Sequence, residues 1–193
     1  MSKTSFVITI AVSIIFLHIH HSWAEDLSWR GKEVSRQEQI AVWQAIKKIA
    51  KREGVNPRLL ASISIAESGD LNPRLRGRDG EYGFMQVMPH QSARINGHPH
   101  DLWDMEKQIT AAARHIKEQN KILSSPAILK SARRHPVLKR HHLYNPRWLT
   151  TIGYNWGAIG YQLEKFGAKA SIPASSIQYA IRVRKIYKTL DRR

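Results

Sequence analysis

Residues 55–89 read VNPRLLASISIAESGDLNPRLRGRDGEYGFMQVMP, and this stretch decides the fold. Asn56 is a good N-cap, and Pro57 suits the first helical position, where a missing N–H costs nothing. Leu59, Leu60, Ala61, Ile63, Ile65 and Ala66 then make a helix apolar almost all round, the pattern of a buried central helix. Gly69 supplies the left-handed residue that ends it. Glu67 therefore falls in the last turn of a buried helix, beside the negative end of the helix dipole. Dipole and desolvation both disfavour a carboxylate there. Such a group either stays protonated near neutral pH, as a general acid must, or reaches past the rim to water as an ordinary glutamate. The pattern alone leaves both readings open.

The whole chain has 193 residues, 42% of them hydrophobic, which is enough for one globular domain with a substantial core. Its first residues read as an export signal. Lys3 opens a basic segment, residues 6–17 are apolar but for Thr9 and Ser13, and Ser22-Trp23-Ala24 places small residues for cleavage after Ala24. The apolar run is well short of the ~20 residues that a membrane span needs. Residues 1–24 are thus expected to be a signal peptide and residues 25–193 the mature domain. With no cysteine there is neither a disulfide nor a site for a lipid anchor, so a soluble, periplasmic, monomeric protein is expected. Loss of one lysine with the signal takes the net charge from +16 to +15. That charge predicts a polyanionic partner, with export arguing against nucleic acid, or is simply a solvated basic surface, the first reading for residues 121–147.

Taken in order, Ser35 and Glu38 have capping-box spacing, and Ile40, Trp43, Ile46, Ile49 and Ala50 recur at helical intervals up to Gly54. Residues 69–83, rich in Gly, Pro, Asn, Asp and Arg, read as a loop. Gln86, alone among Met85, Val87 and Met88, is an amide either satisfied in the core or aimed at a ligand. Pro89 opens a short helix through Arg94, and Asp104 caps another with Ile109, Ala112, Ala113 and Ile116 inside. Residues 121–147 carry seven Lys/Arg, three His and no acid, punctuated by Pro126, Pro136 and Pro146, and read as a basic, partly irregular insertion. Leu149, Ile152, Ile159 and Leu163 mark one further helix ending at Phe166-Gly167, and Ser175 or Ser176 caps the last. No strand pattern stands out. The expected fold is all-α.

Four blocks in order, Glu67-Ser68, Gly83-Phe84-Met85-Gln86 with Met88-Pro89, Gly153-Tyr154-Asn155-Trp156-Gly157, and Tyr179, resemble the soluble lytic transglycosylase catalytic domain. The resemblance covers about residues 38–190 and implies a single goose-type, lysozyme-like helical domain. It further implies cleavage of the glycosidic bond between N-acetylmuramic acid and N-acetylglucosamine in peptidoglycan, with closure of an anhydro sugar. By position, Glu67 would be the single acid and base, Ser68 would help position the muramyl group, and Met85 and Gln86 would line sugar subsites. Tyr154, Asn155 and Tyr179 would complete the surroundings of Glu67. No cofactor is implied.

Two-carboxyl glycosidases need a second acid near the bond. Asp70, Asp79 and Glu81 lie in a loop beside Arg74, Arg76 and Arg78, which keep them ionised and paired, so none is compelling. A hydrolytic muramidase on the same fold and a non-catalytic wall-binding or assembly factor are the rivals, and a secretion or conjugation machine is a candidate partner. Phe84 stands where the family has leucine, beside a sugar subsite, and Gly153 where it has alanine, a tolerable change. His98, His100, His141 and His142 have no carboxylate or cysteine at ligand spacing, so no metal site is expected.

Overall fold

The computed structural model describes residues 34–69, 71–96 and 104–191. The proposed signal segment, Asp70, His98 and His100 lie outside them. Among the described residues the chain is helical, with isolated bridges and no strand.

Helix α1, Arg36–Glu53, starts at the expected capping box: Ser35 Oγ accepts from Glu38 N–H at 3.3 Å and Glu38 Oε2 accepts from Ser35 N–H at 2.9 Å. Helix α2, Pro57–Ser68, begins at Asn56, whose side chain accepts from Leu59 N–H at 3.0 Å, and buries residues on every side except its ends. Helices α3 (Pro89–Asn96) and α4 (Met105–Leu123) follow, the latter capped by Asp104. Helix α4 packs on α1 and on α7 (Pro146–Asn155), while α9 (Ala174–Asp191) packs on α2 and α7. The central helix is thereby covered from several directions, as its all-round apolarity requires.

Residues 121–147 differ from expectation. The three prolines do not interrupt an irregular loop. Each occupies the first position of a helix: Pro126 in α5 (Pro126–Arg134), Pro136 in α6 (Pro136–Arg140) and Pro146 in α7. An N-terminal proline loses no helical hydrogen bond, so a Pro-punctuated run is equally the signature of consecutive short helices. Ile128, Ala132, Leu138 and Leu143 anchor them in the core. The α5–α6 corner is held by His135, which is buried: its Nε2 lies 2.9 Å from Ala170 O, and its Nδ1 accepts from Leu138 N–H at 3.4 Å. That pairing assigns the proton to Nε2.

Two helix boundaries also move. The expected helix across Leu149 and Leu163 is broken at residues 156–158, so Asn155 ends α7 and α8 spans Ile159–Phe166. The last helix begins at Ala174, with Pro173 O accepting from Ser176 and Ile177 N–H, so neither serine is its cap. Ser176 is buried and its hydroxyl serves elsewhere.

Candidate active site

Glu67 sits one residue before the end of α2. Gly69, at φ +73°, donates its N–H to Ile65 O at 2.9 Å. Ser68 Oγ donates to Ser64 O and accepts from Leu71 N–H, both at 3.1 Å. The Ser68 hydroxyl thus fastens the turn that follows Glu67. That turn is tight enough to hold Leu71, a bulky residue, at φ +61°. Strain of this kind persists only where the surroundings over-determine it, and Leu71 is anchored in the core.

Residues 75–87 form two stacked turns rather than an open loop. Gly77 N–H bonds Glu81 O at 2.9 Å, Tyr82 and Val87 exchange backbone bonds at 3.0 and 3.2 Å, and Gly83 N–H bonds Leu75 O at 2.8 Å. Gly83 has φ +68°, and any Cβ there would run into the Gln108 carboxamide, which itself donates to Pro73 O at 2.9 Å. No other residue fits. Gln86 is held at φ +46°, and its Nε2 donates to Gly83 O at 2.8 Å. Its Oε1 lies 2.5 Å from where a Cβ of Gly77 would stand, and Glu81 Oε2 crowds the same spot. Glu81 and the Gln86 amide are therefore neighbours.

The tyrosines close the site. Tyr179 OH, on α9, donates to Glu67 Oε1 at 2.6 Å. Tyr154 OH, on α7, donates to Met85 O at 2.7 Å. Burial and the Glu67 charge push both phenols well above 10, so both remain donors. Asn155 Oδ1 accepts from Ser176 Oγ at 2.9 Å. Behind Tyr154 lies His115, its ring centroid 5.3 Å away and tilted 56°. His115 is buried and neither ring nitrogen has a hydrogen-bond partner among the described residues. Burial pushes its pKa down, so it is neutral.

Burial raises the Glu67 carboxyl from its ordinary 4.5 to about 7. The Tyr179 hydrogen bond and the Arg182 charge pull the other way, and the Glu81 charge adds a smaller upward push. With Oε1 engaged by Tyr179, Oε2 is the oxygen left to carry the acidic proton.

Of the residues singled out in sequence, Glu67 and Tyr179 are bonded directly, and Ser68, Gln86, Tyr154 and Asn155 lie on the segments that frame them. Met85 does not fit a sugar-lining role: its side chain is completely buried, and it acts through its carbonyl on Tyr154. Phe84 is completely buried too, so the larger ring is a core residue and not the wall of a subsite. Sequence places Glu81 beside arginines that would pair with it. They are engaged differently: Arg74 bonds Glu38 at 3.0 Å, Arg78 approaches Asp79 at 3.6 Å, and the Arg76 guanidinium stacks on the Tyr82 ring at 5.0 Å. Arg182 and His115 do not stand out as site residues in the sequence, and Ser176 figures there only as a helix cap. His115 alone left a trace, as a histidine inside the apolar stripe of Ile109, Ala112 and Ile116.

An all-α domain with one carboxyl of raised pKa at the end of its central helix, gripped by a phenol, is a lysozyme-like architecture for cutting glycans. The family described as Transglycosylase SLT domain matches residues 44–172, more than half of the chain, and the chain belongs to it. Membership gives it peptidoglycan as substrate and activity of the lytic transglycosylase type. No curated protein matches the sequence. Tyr179 lies beyond the matched residues; the resemblance placed it near Glu67, and the tertiary structure gives the bond itself.

Proposed function

We propose that this protein cleaves the bond between N-acetylmuramic acid and N-acetylglucosamine non-hydrolytically, with Glu67 as the only acid and base. The observation that carries this reading is the Glu67 carboxyl, raised to about 7 with Tyr179 bound to one of its oxygens. Glu67 Oε2 first protonates the glycosidic oxygen. The C1–O bond breaks as the substrate's acetamido oxygen bonds to C1. Glu67, now a carboxylate, takes the proton of the muramyl 6-hydroxyl, whose oxygen attacks C1 and displaces the acetamido oxygen. Each role needs the opposite protonation state, and a pKa near 7 makes both accessible at neutral pH. Mass spectrometry of digested peptidoglycan tests it. The wild type should release anhydro-muramyl ends, and Glu67→Gln should lose roughly 10²- to 10⁴-fold in turnover. Ends carrying one added water would overturn the reading.

One observation favours the hydrolytic rival: the Glu81 charge acts on Glu67, and Glu81 stands beside Gln86. A second carboxylate so placed is what activation of water would use. Under the transglycosylase reading Glu81→Gln leaves the anhydro product unchanged; under the hydrolytic one it removes the reducing ends.

The basic start, short apolar run and Ser22-Trp23-Ala24 support export, with the mature chain beginning at Glu25 and acting in the periplasm. N-terminal sequencing of the protein from fractionated cells tests this. A cytoplasmic protein retaining residue 1 would refute it. Service to a secretion or conjugation machine stands as a proposal about role, tested by loss of that machine's assembly on deletion.

A further inference from the structure

The α5–α6 corner and the segment that follows it form an open surface concavity of about 790 Å³, lined by Arg133, Pro136, Lys139, Arg140, His142 and Tyr144, of which Tyr144 alone is partly buried. Arg133, Lys139 and Arg140 are exposed, and none pairs with a carboxylate among the described residues. The 27 residues that build the corner, 121–147, contain no acid at all. Placement in the last turns of α5 and α6, where the helix dipoles are negative, explains why the chain tolerates these cations individually. It does not explain their convergence around one concavity. The frame is rigid. His135 ties the corner to Ala170, Leu138 and Leu143 root it in the core, and Arg184 of α9 holds His141 O at 2.6 Å. His142 is fixed at φ +53° with its ring 6.4 Å from that of Tyr144. A shallow surface that sets Pro136 and Tyr144 among three exposed cations suits a short chain bearing carboxylates.

We propose that this pocket binds the acidic stem peptides of peptidoglycan, apart from the site that cuts the glycan. The inference rests on peptidoglycan being the polymer on which the domain acts. That polymer carries short peptides in which small apolar residues alternate with free carboxylates. Arginine and lysine recognise the carboxylates, while Pro136 and Tyr144 take the apolar side chains. An anionic membrane is the poorer fit, because lipid headgroups present a plane and this site is a concavity. The pocket would hold the enzyme on wall where stems are present and leave its chemistry on bare glycan untouched.

The test compares a triple reversal, Arg133→Glu, Lys139→Glu and Arg140→Glu, with a control of equal charge, Arg36→Glu, Lys51→Glu and Lys188→Glu. Both are made in the full chain, with and without Glu67→Gln. Binding of the Glu67→Gln forms is measured by co-sedimentation with sacculi, and with sacculi whose carboxylates have been amidated. The pocket variant should bind native sacculi about tenfold or more weaker than the control. On amidated sacculi the difference should vanish. With Glu67 intact, the pocket variant should cleave stem-free glycan oligomers at the rate of the control, which also shows that it folds. Equal losses in the two variants would reduce the effect to net charge and overturn the proposal. So would a persistent difference on amidated sacculi, or a loss confined to binding of phosphatidylglycerol vesicles. Failure of the proposed reaction is separate: wild type would then release fragments with hydrated muramyl ends, or none, whatever the pocket variant binds.

Discussion

Replacing Glu67 by glutamine should stabilise the protein, and only at high pH. The carboxyl is worth about 4.5 in the unfolded chain and about 7 in the folded one. At about 1.4 kcal/mol per pH unit, the fold holds the ionised form at a disadvantage of about 3 kcal/mol. Between these two values the folded state binds the extra proton, so stability falls as pH rises. Below about pH 4 the group is neutral in both states and contributes no penalty; above about pH 8 the whole penalty is present. Glutamine is nearly isosteric, never ionises, and offers Tyr179 an oxygen to donate to in place of Oε1. Urea melts of wild type and Glu67→Gln at pH 5 and pH 8.5 should therefore differ little at the first and by about 3 kcal/mol, in favour of the variant, at the second. In thermal melts this corresponds to roughly 2–4 °C for each kcal/mol in a domain of this size. An equal effect at both pH values, or a loss at pH 8.5, would refute the claim that the fold strains an ionised Glu67. Such a site trades stability for function, and the trade would be visible as a pH dependence.

Three further outcomes are expected. Tyr179→Phe removes the donor that favours the ionised form, so the Glu67 pKa rises, and the alkaline limb of the kcat/KM profile should move up by about one pH unit. A fall in rate with an unmoved limb would assign Tyr179 to substrate contact alone. Gly153→Ala gains about 1 kcal/mol of helix propensity, yet places Cβ 2.5 Å from Gln119 Oε1 and 3.0 Å from Leu123 Cδ1, so a net loss of about 1 kcal/mol is expected. In a Gln119→Ala background the same change should become neutral or stabilising, and simple additivity would show the two sites to be uncoupled. His135→Ala strands Ala170 O and Leu138 N–H in the interior, and should cost about 2 kcal/mol or more in urea melts. A cost within about 0.5 kcal/mol would mean that the α5–α6 corner is held by its apolar contacts.

Periodicity, caps and glycines in the sequence already determined much of this protein. An apolar helix opened by Asn56-Pro57 and closed by Gly69 has one place for Glu67, because helical geometry is local and its end residues announce themselves. The same holds for the capping box at Ser35 and the cap at Asp104. Proline was legible but ambiguous. Pro126, Pro136 and Pro146 signal either a broken chain or the first turns of successive helices, and burial of Ile128, Leu138 and Leu143 chose between them. Side-chain direction was not legible, since which face of a short apolar run meets the core depends on what packs there. Met85 and Phe84 point inward for that reason, and Gly153 is matched by Gln119 from a helix 34 positions earlier. The electrostatics of Glu67 were half determined. The end of an apolar helix foretold a raised pKa, but its extent came first from burial beneath the packed elements and then from partners distant in the chain. Tyr179 is 112 residues away and lowers it; Glu81 comes from a loop whose acids the sequence pairs with arginines. Charge interactions act through space, at distances the chain sets only once it has folded, and that is why the tertiary structure had the deciding word on Glu67.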